Sequence, residues 1–119
     1  MSNNIEIKEY NNEGYSKVIS FESWRVAILN YAERFDERFI EKLERHMLTD
    51  EVFVLLEGGA ELIIGEEMTK YKMDKNKLYN VKAGVWHAVN VTKDVKILII
   101  ENENTSLSNT EYMQIERMK

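Results

Sequence analysis

The sequence ERHMLTDEVFVLLEGG, which runs from Glu44 to Gly59, decides the fold. It places one histidine and three acids just ahead of five consecutive apolar residues, and a glutamate and two glycines end the run. A short apolar run bounded by turn residues is typical of a buried strand. The charged residues are then either a solvated loop in front of that strand or a set of metal ligands that point into a barrel.

The size and composition of the chain limit its class. A length of 119 residues predicts a single domain, and the lack of cysteine excludes disulfides and thiolate metal ligands. The net charge of −5, with no basic run interleaved with aromatic residues, argues against a nucleic-acid partner. No N-terminal apolar region resembles a secretory signal, and no apolar stretch approaches the about 18 residues of a membrane span. We therefore expect a cytoplasmic protein without a membrane partner.

Short strands separated by turn residues follow one another on both sides of the opening stretch. Their spacing of about 8–12 residues, with almost no helical pattern, predicts an all-β sandwich or barrel. The two glycines at Gly58–Gly59 predict a hairpin that pairs EVFVLLE with the following AELIIG. The other predicted strands are YSKVISFESW, WRVAILNYA, KLYNV, VWHAVNV, VKILIIE and EYMQI.

The segment ERFDERFIEKLERHM, which leads into the opening stretch, has two interpretations. Its apolar residues Phe35, Phe39, Ile40 and Leu43 lie at near-helical spacing, so a short helix is one alternative. We favour a turn around Asp36–Arg38, followed by a strand over about 41–46.

Two of the predicted strands are apolar at every position, namely VFVLL and ILII. A strand of an antiparallel sheet with one solvated face should instead alternate apolar and polar residues. Either two sheets cover each strand, or one outer face is buried in an oligomer. We expect a homodimer on this basis.

The opening stretch resembles the first sequence motif of the cupins, which are small double-sheet jelly-roll barrels. That motif is a glycine, five residues, His-x-His, three or four residues, a glutamate, six residues and a glycine. Glu51 and Gly58 match its second half with the spacing intact, and His46 lies at the position of the second histidine. Glu44 occupies the position of the first histidine, which is a departure from the motif.

The segment around KAGVWHAVN is similar to the second cupin motif. Gly84 and His87 lie at its glycine and histidine positions. Lys82 replaces the expected proline, Asn76 replaces the leading glycine, and Asn90 comes one residue early for the asparagine.

The resemblance covers about residues 20–102 and implies a double-stranded β-helix, the jelly-roll barrel of the cupin type. The whole chain would then be one cupin domain, with an arm over about 1–19 and a C-terminal strand or tail over 103–119.

Four side chains are candidate metal ligands, namely Glu44, His46, Glu51 and His87. Residues two apart in a strand face the same side, so Glu44 and His46 can both point into the barrel. The histidines are the only two in the chain, and imidazole with carboxylate suits Fe, Mn or Zn. The alternative is that no metal binds, and that the histidines line a ligand cavity, hydrogen-bonded to Glu44 and Glu51.

The resemblance also implies a function. A metal-dependent enzyme of oxygenase, isomerase or lyase type would act on a small polar metabolite, with Glu44 either a fourth ligand or a catalytic general base. Arg25, Tyr31 and Tyr79 are candidate ligand-binding residues. The alternative is a metal-free, homo-oligomeric module that binds a small molecule without catalysis.

Overall fold

The computed structural model describes residues 4–115, which form two antiparallel sheets of five strands each. The strands are β1 (Tyr15–Phe21), β2 (Trp24–Asn30), β3 (Lys42–His46), β4 (Glu51–Glu57), β5 (Ala60–Ile64), β6 (Thr69–Lys72), β7 (Tyr79–Val81), β8 (His87–Val91), β9 (Lys96–Asn102) and β10 (Thr110–Gln114). The first sheet has the order β1-β2-β9-β4-β7, and the second has the order β10-β3-β8-β5-β6. The prediction of an all-β jelly roll is confirmed.

The core lies between the two sheets and takes alternate residues from each strand. Phe53 of β4 and Ile97 and Ile99 of β9 are at most 3% exposed, and they pack with Leu62 and Val89 of the other sheet. Burying each such side chain contributes roughly 1.5–3 kcal/mol before the cost of ordering the chain. This core fixes the strands whose first or last residues carry the acids and histidines.

The outer face of the first sheet explains why its strands are apolar at every position. Val52, Val54 and Leu98 point outward and are half-buried, while Ile100 on the same face is 38% exposed. Within the described residues, a second sheet therefore covers only the inner face. The outer face remains available for a second chain, so the homodimer stays a prediction.

The two glycines after β4 do not form the predicted hairpin. β4 pairs with β7 and β9, whereas β5 pairs with β6 and β8 in the other sheet. Gly58 has a φ of +72°, and a Cβ there would lie 2.7 Å from the backbone nitrogen and Cα of Val95. The turn thus packs against the connection between β8 and β9, which crosses between the same two sheets. This crossing lets the inward side chains of both strands enter one shared core.

The segment between β2 and β3 is a turn and a strand, as favoured, and not a helix. A single 3-10 turn spans Glu33–Phe35, and the Asp36 carboxylate then accepts hydrogen bonds from the Arg38 backbone N–H at 3.0 Å and from its guanidinium at 2.9 Å. Ile40 and Leu43 are buried in a separate small cluster with Ile63. The near-helical spacing therefore arises from residues in different surroundings, because Phe35 packs against the main core instead.

The ends of the chain are partly incorporated into the sheets. β1 begins at Tyr15, within the expected arm, and β10 pairs with β3, which confirms the last predicted strand. The ends of the arm and tail, residues 1–3 and 116–119, lie outside the described residues. In the part of the chain that the structure describes, no helix has the length and apolarity that a membrane span requires.

Candidate metal centre

The structure brings the four predicted ligands together from three strands. β3 carries Glu44 and His46, β4 begins with Glu51, and β8 begins with His87, which lies directly opposite Glu44. His46, Glu51 and His87 are each at most 8% exposed, whereas the Glu44 side chain is 40% exposed. The cluster therefore has three buried members and one at the wall of an open cavity.

The hydrogen-bond partner of His87 Nδ1 fixes which ring nitrogen carries the proton. Nδ1 lies 3.0 Å from the backbone oxygen of Val85, which can only accept a hydrogen bond. Nδ1 therefore carries a hydrogen, and Nε2 is left facing Glu51 Oε1 at 2.9 Å.

The same reasoning applies to His46. Its Nδ1 lies 3.0 Å from the hydroxyl oxygen of Thr110, and that hydroxyl donates its only proton to the backbone oxygen of Ser106 at 2.7 Å. The hydroxyl must therefore accept from His46, so Nδ1 again carries the hydrogen. Nε2 of His46 then faces the same Glu51 oxygen at 3.3 Å.

Two Nε2 atoms thus converge on one carboxylate oxygen. If both rings were neutral, two lone pairs would face an anionic oxygen, and all three groups would repel one another. The cluster needs positive charge between its members, supplied either by protons on Nε2 or by a metal ion. Second hydrogen bonds that orient ligating histidines in this way are typical of metal sites. The donor set and its orientation therefore fit a divalent ion.

The pKa directions agree with this need for a cation. Burial alone would raise the pKa of Glu51, but hydrogen bonds from His46 and His87 hold it well below its usual value. Burial alone would lower the pKa of each histidine, but the hydrogen bond to Glu51 and its negative charge raise both. In the metal-free state the cluster therefore retains protons on the histidines and a charged Glu51.

Glu44 is placed to add a fourth ligand. Its Oε1 lies 3.8 Å from His46 Nε2, and one donor atom from each of Glu44, His46 and His87 lies within 4.8 Å of the others. A second group of the same kind contains His46, Glu51 and Glu101. The two groups share His46, so they are two sides of one cluster.

Glu101 is the functional candidate that the sequence reasoning missed. It is the last of the side chains of β9 that point into the barrel. It lies directly opposite Glu51 and is 5% exposed. Burial and the charge of Glu51 raise its pKa to about 7, although Arg25 binds its carboxylate at 2.9 Å and partly offsets the shift. The sequence does carry a signal for Glu101, namely its position two residues after Ile99, on the face that strand alternation assigns to the core.

A cavity of about 490 Å³ opens onto this cluster. This volume lies within the range of about 300–1,000 Å³ that small-molecule sites occupy. Arg25, one of the candidate ligand-binding residues, lines it together with Tyr15, whose hydroxyl lies 3.4 Å from Glu101. Among the described residues, the other two candidates are not part of the lining. The Tyr31 hydroxyl instead donates to Asp36, and the Tyr79 hydroxyl accepts from the Asp74 backbone N–H.

The positions of Tyr31 and Tyr79 away from the cavity have a simple cause. Tyr79 packs on the main core at the edge strand β7, and Tyr31 follows the end of β2 and packs on the other rim of that core. Strand alternation predicts the face of a side chain but not which end of the barrel it reaches. Arg25 reaches the cluster because it pairs with Glu101 across β2 and β9.

No family model and no curated protein matches this sequence. Solved structures do match it. A cupin-2 domain protein from Shewanella frigidimarina is 18% identical with a TM-score of 0.62, covering 79% of this chain and 85% of that one. Pac13, a nucleoside dehydratase from Streptomyces, is 8% identical with a TM-score of 0.66, covering 91% and 85%. KdgF from Halomonas is 11% identical with a TM-score of 0.57, covering 77% and 79%.

At these identities the likeness establishes the fold alone, and it agrees with the two-sheet topology. The described residues have the fold of a small cupin-type domain.

Proposed function

We propose that this cupin barrel binds one divalent metal ion through His46, Glu51 and His87, with Glu44 as a fourth ligand, and acts on a small polar molecule in the cavity. The observation that carries the proposal is the convergence of two Nε2 atoms on one oxygen of Glu51. Two carboxylates with two imidazoles favour Mn²⁺ or Fe²⁺, and Zn²⁺ also suits the set. A bound ion would supply a Lewis acid that polarises an oxygen of the substrate.

The surrounding residues of this chain have distinct roles in the proposal. In the metal-free chain, burial and the charge of Glu51 raise the pKa of Glu101 to about 7, so this carboxyl is a candidate to donate a proton to a leaving group or accept one from the substrate. Arg25 holds its carboxylate in place, and Tyr15 closes the same side of the cavity. Glu44 is either a ligand or a general base, and its effect on metal content separates the two roles.

A metal-free binding module is the second candidate, and one observation favours it. Protons on His46 and His87 satisfy the cluster without an ion, and the raised pKa of each histidine supports that state. Glu44 at the position of a motif histidine points the same way. In this case the cavity would bind a small polar molecule, as the Pac13 structures with uridine illustrate for that protein.

Metal analysis of protein purified without chelator or nickel resin tests the first candidate. We expect near-stoichiometric Mn, Fe or Zn, which is lost in Glu51→Gln and His87→Ala. Glu111→Gln is the matched control, because Glu111 is an exposed carboxylate that binds Arg45 away from the cavity. Glu44→Gln should lower metal occupancy if Glu44 is a ligand and leave it unchanged if Glu44 is a base.

Absence of metal after incubation with each ion at pH 8, where few protons compete with the ion for the histidines, would contradict the proposal and favour the binding module. Metal retained in His46→Ala would show that His46 is not a ligand.

A further inference from the structure

Two cations at the cavity mouth lie against aromatic rings, and neither has an acidic partner among the residues that the structure describes. Arg34 Cζ lies 4.1 Å from the centroid of the Phe35 ring, and Lys42 Nζ lies 4.1 Å from that of Tyr112. Within residues 4–115, neither takes part in a salt bridge, although both line the cavity. Resting on a ring keeps a cation near the mouth, while its N–H groups remain free for another partner.

Large apolar side chains surround the same mouth. Phe39 is 45% exposed, Leu107 is 81% exposed and Tyr112 is 43% exposed, and all three line the cavity. They come from the turn before β3, from a 3-10 turn at Leu107–Asn109 and from β10. Exposed apolar groups collected around a cavity, and not scattered singly, are typical of a ligand-binding site.

The charges of the side chains that line the cavity differ between its floor and its exposed part. Along β3, Lys42 is exposed, Glu44 is half-buried and His46 is 8% exposed, and alternation places all three on one face. The deepest acids are Glu51 and Glu101, each 5% exposed. The floor therefore collects acids that need a cation, whereas the exposed part of the lining carries two cations, Arg34 and Lys42, and one acid, Glu41.

We propose that the ligand of this cavity is an organic anion with an apolar body. Its carboxylate or phosphate would bind Arg34 and Lys42, its body would lie against Phe39, Leu107 and Tyr112, and its other end would point to the buried cluster. The orientation of that other end rests on the proposed function. The anion site at the mouth does not, because it uses none of the proposed metal ligands.

Calorimetric titration at low ionic strength tests this with four probes: phenyl phosphate, benzoate, benzyl alcohol and inorganic phosphate. We expect at least one aryl anion to bind about tenfold or more tightly than benzyl alcohol and inorganic phosphate. This factor corresponds to about 1.4 kcal/mol, close to the lower end of the roughly 1.5–3 kcal/mol that a hydrogen bond to a charged group contributes. Preference for phenyl phosphate identifies a phosphate ester as the natural chemistry, and preference for benzoate identifies a carboxylic acid.

Three variants locate the site. Arg34→Gln and Lys42→Gln should each weaken binding of the aryl anion about 5- to 10-fold, and Leu107→Ser should weaken it several-fold. These side chains are exposed, so unchanged circular dichroism is expected for all of them. Lys72→Gln is the matched control, because Lys72 is an exposed lysine on β6 outside the cavity, and its affinity should equal that of the unmodified chain.

Equal affinity for benzyl alcohol and the aryl anions, unchanged affinity in both cation variants, or no binding of either aryl anion at millimolar concentration would each overturn the proposal. The metal content of Arg34→Gln should stay that of the unmodified chain. If the protein takes up no metal but still binds an aryl anion through Arg34, the metal proposal is refuted and the anion proposal stands.

Discussion

Replacing Glu101 by glutamine should change how the stability of the metal-free protein depends on pH. In the folded chain, burial and the neighbouring charge of Glu51 raise the pKa of Glu101 from 4.5 to about 7. Below pH 4.5 both folded and unfolded chains hold the proton, so the group costs nothing. Between 4.5 and 7 the folded state alone retains the proton, and stability falls as pH rises.

The size of this effect follows from the shift. At about 1.36 kcal/mol per pH unit, the interval from 4.5 to about 7 amounts to roughly 3 kcal/mol. Solvent screens part of it, because the Arg25 side chain that binds Glu101 is 16% exposed. We therefore expect that the stability of Glu101→Gln, relative to the unmodified chain, increases by about 2 kcal/mol between pH 5 and pH 8.

Urea unfolding followed by tryptophan fluorescence in EDTA, at pH 5, 6, 7 and 8, measures this difference. Glutamine keeps the size of the side chain but does not titrate. The difference between the free energies of unfolding of the two proteins therefore isolates the ionisation of Glu101 and any change it causes in Glu51. Glu103→Gln is a control, because hydrogen bonds from Ser20 and Lys17, together with the charges of Lys17 and Arg25, lower the pKa of Glu103, which is more exposed. A difference that is constant with pH, or that shrinks toward pH 8, would refute the assigned raised pKa.

Three further predictions concern other parts of the molecule. Gly58→Ala should destabilise the fold by about 2–4 kcal/mol in urea unfolding, because the new Cβ would lie 2.7 Å from the Val95 backbone; Gly84→Ala, with no atom within 4 Å, should cost only about 1 kcal/mol, and equal costs would contradict this reasoning. Thr110→Val should weaken metal binding about 10- to 100-fold in competition titrations, since His46 Nδ1 loses its acceptor, and unchanged affinity would show that this hydrogen bond is dispensable. Sedimentation should give a mass of two chains that Leu98→Lys reduces to one, because Leu98 lies on the apolar outer face; a single-chain mass for the unmodified protein would contradict the homodimer.

Much of the fold could be predicted because local pattern and tertiary environment agree. The apolar run after Glu51 is a strand, and the strand before it ends at His46, as the turn residues indicate. The hairpin at Gly58 was wrong because a glycine pair marks a turn but not the sheet to which the chain returns. That choice depends on the contact with Val95, which is distant in sequence.

The candidate site, like the fold, could be predicted only in part from the sequence. Glu44, His46, Glu51 and His87 could be selected because their spacing matches two motifs and strand alternation. Glu101 could not be distinguished from an ordinary charge at a strand end until its pairing with Glu51 was visible.

The role of the two cations at the cavity mouth could not be predicted from the sequence either. Arg34 and Lys42 lie in a charged segment, and only the folded chain separates them from arginines with acidic partners, such as Arg38 with Asp36.

The central claim is that both imidazoles carry hydrogen on Nδ1 and direct Nε2 at a cation. Long-range proton–nitrogen NMR of the histidine rings tests it directly, and the chain has only two histidines to assign. We expect two doubly protonated rings in metal-free protein at pH 6. We also expect that Zn²⁺ converts both to the Nδ1–H form with Nε2 bound to the ion. A neutral ring whose only hydrogen is on Nε2, or a spectrum that Zn²⁺ does not change, would contradict this assignment.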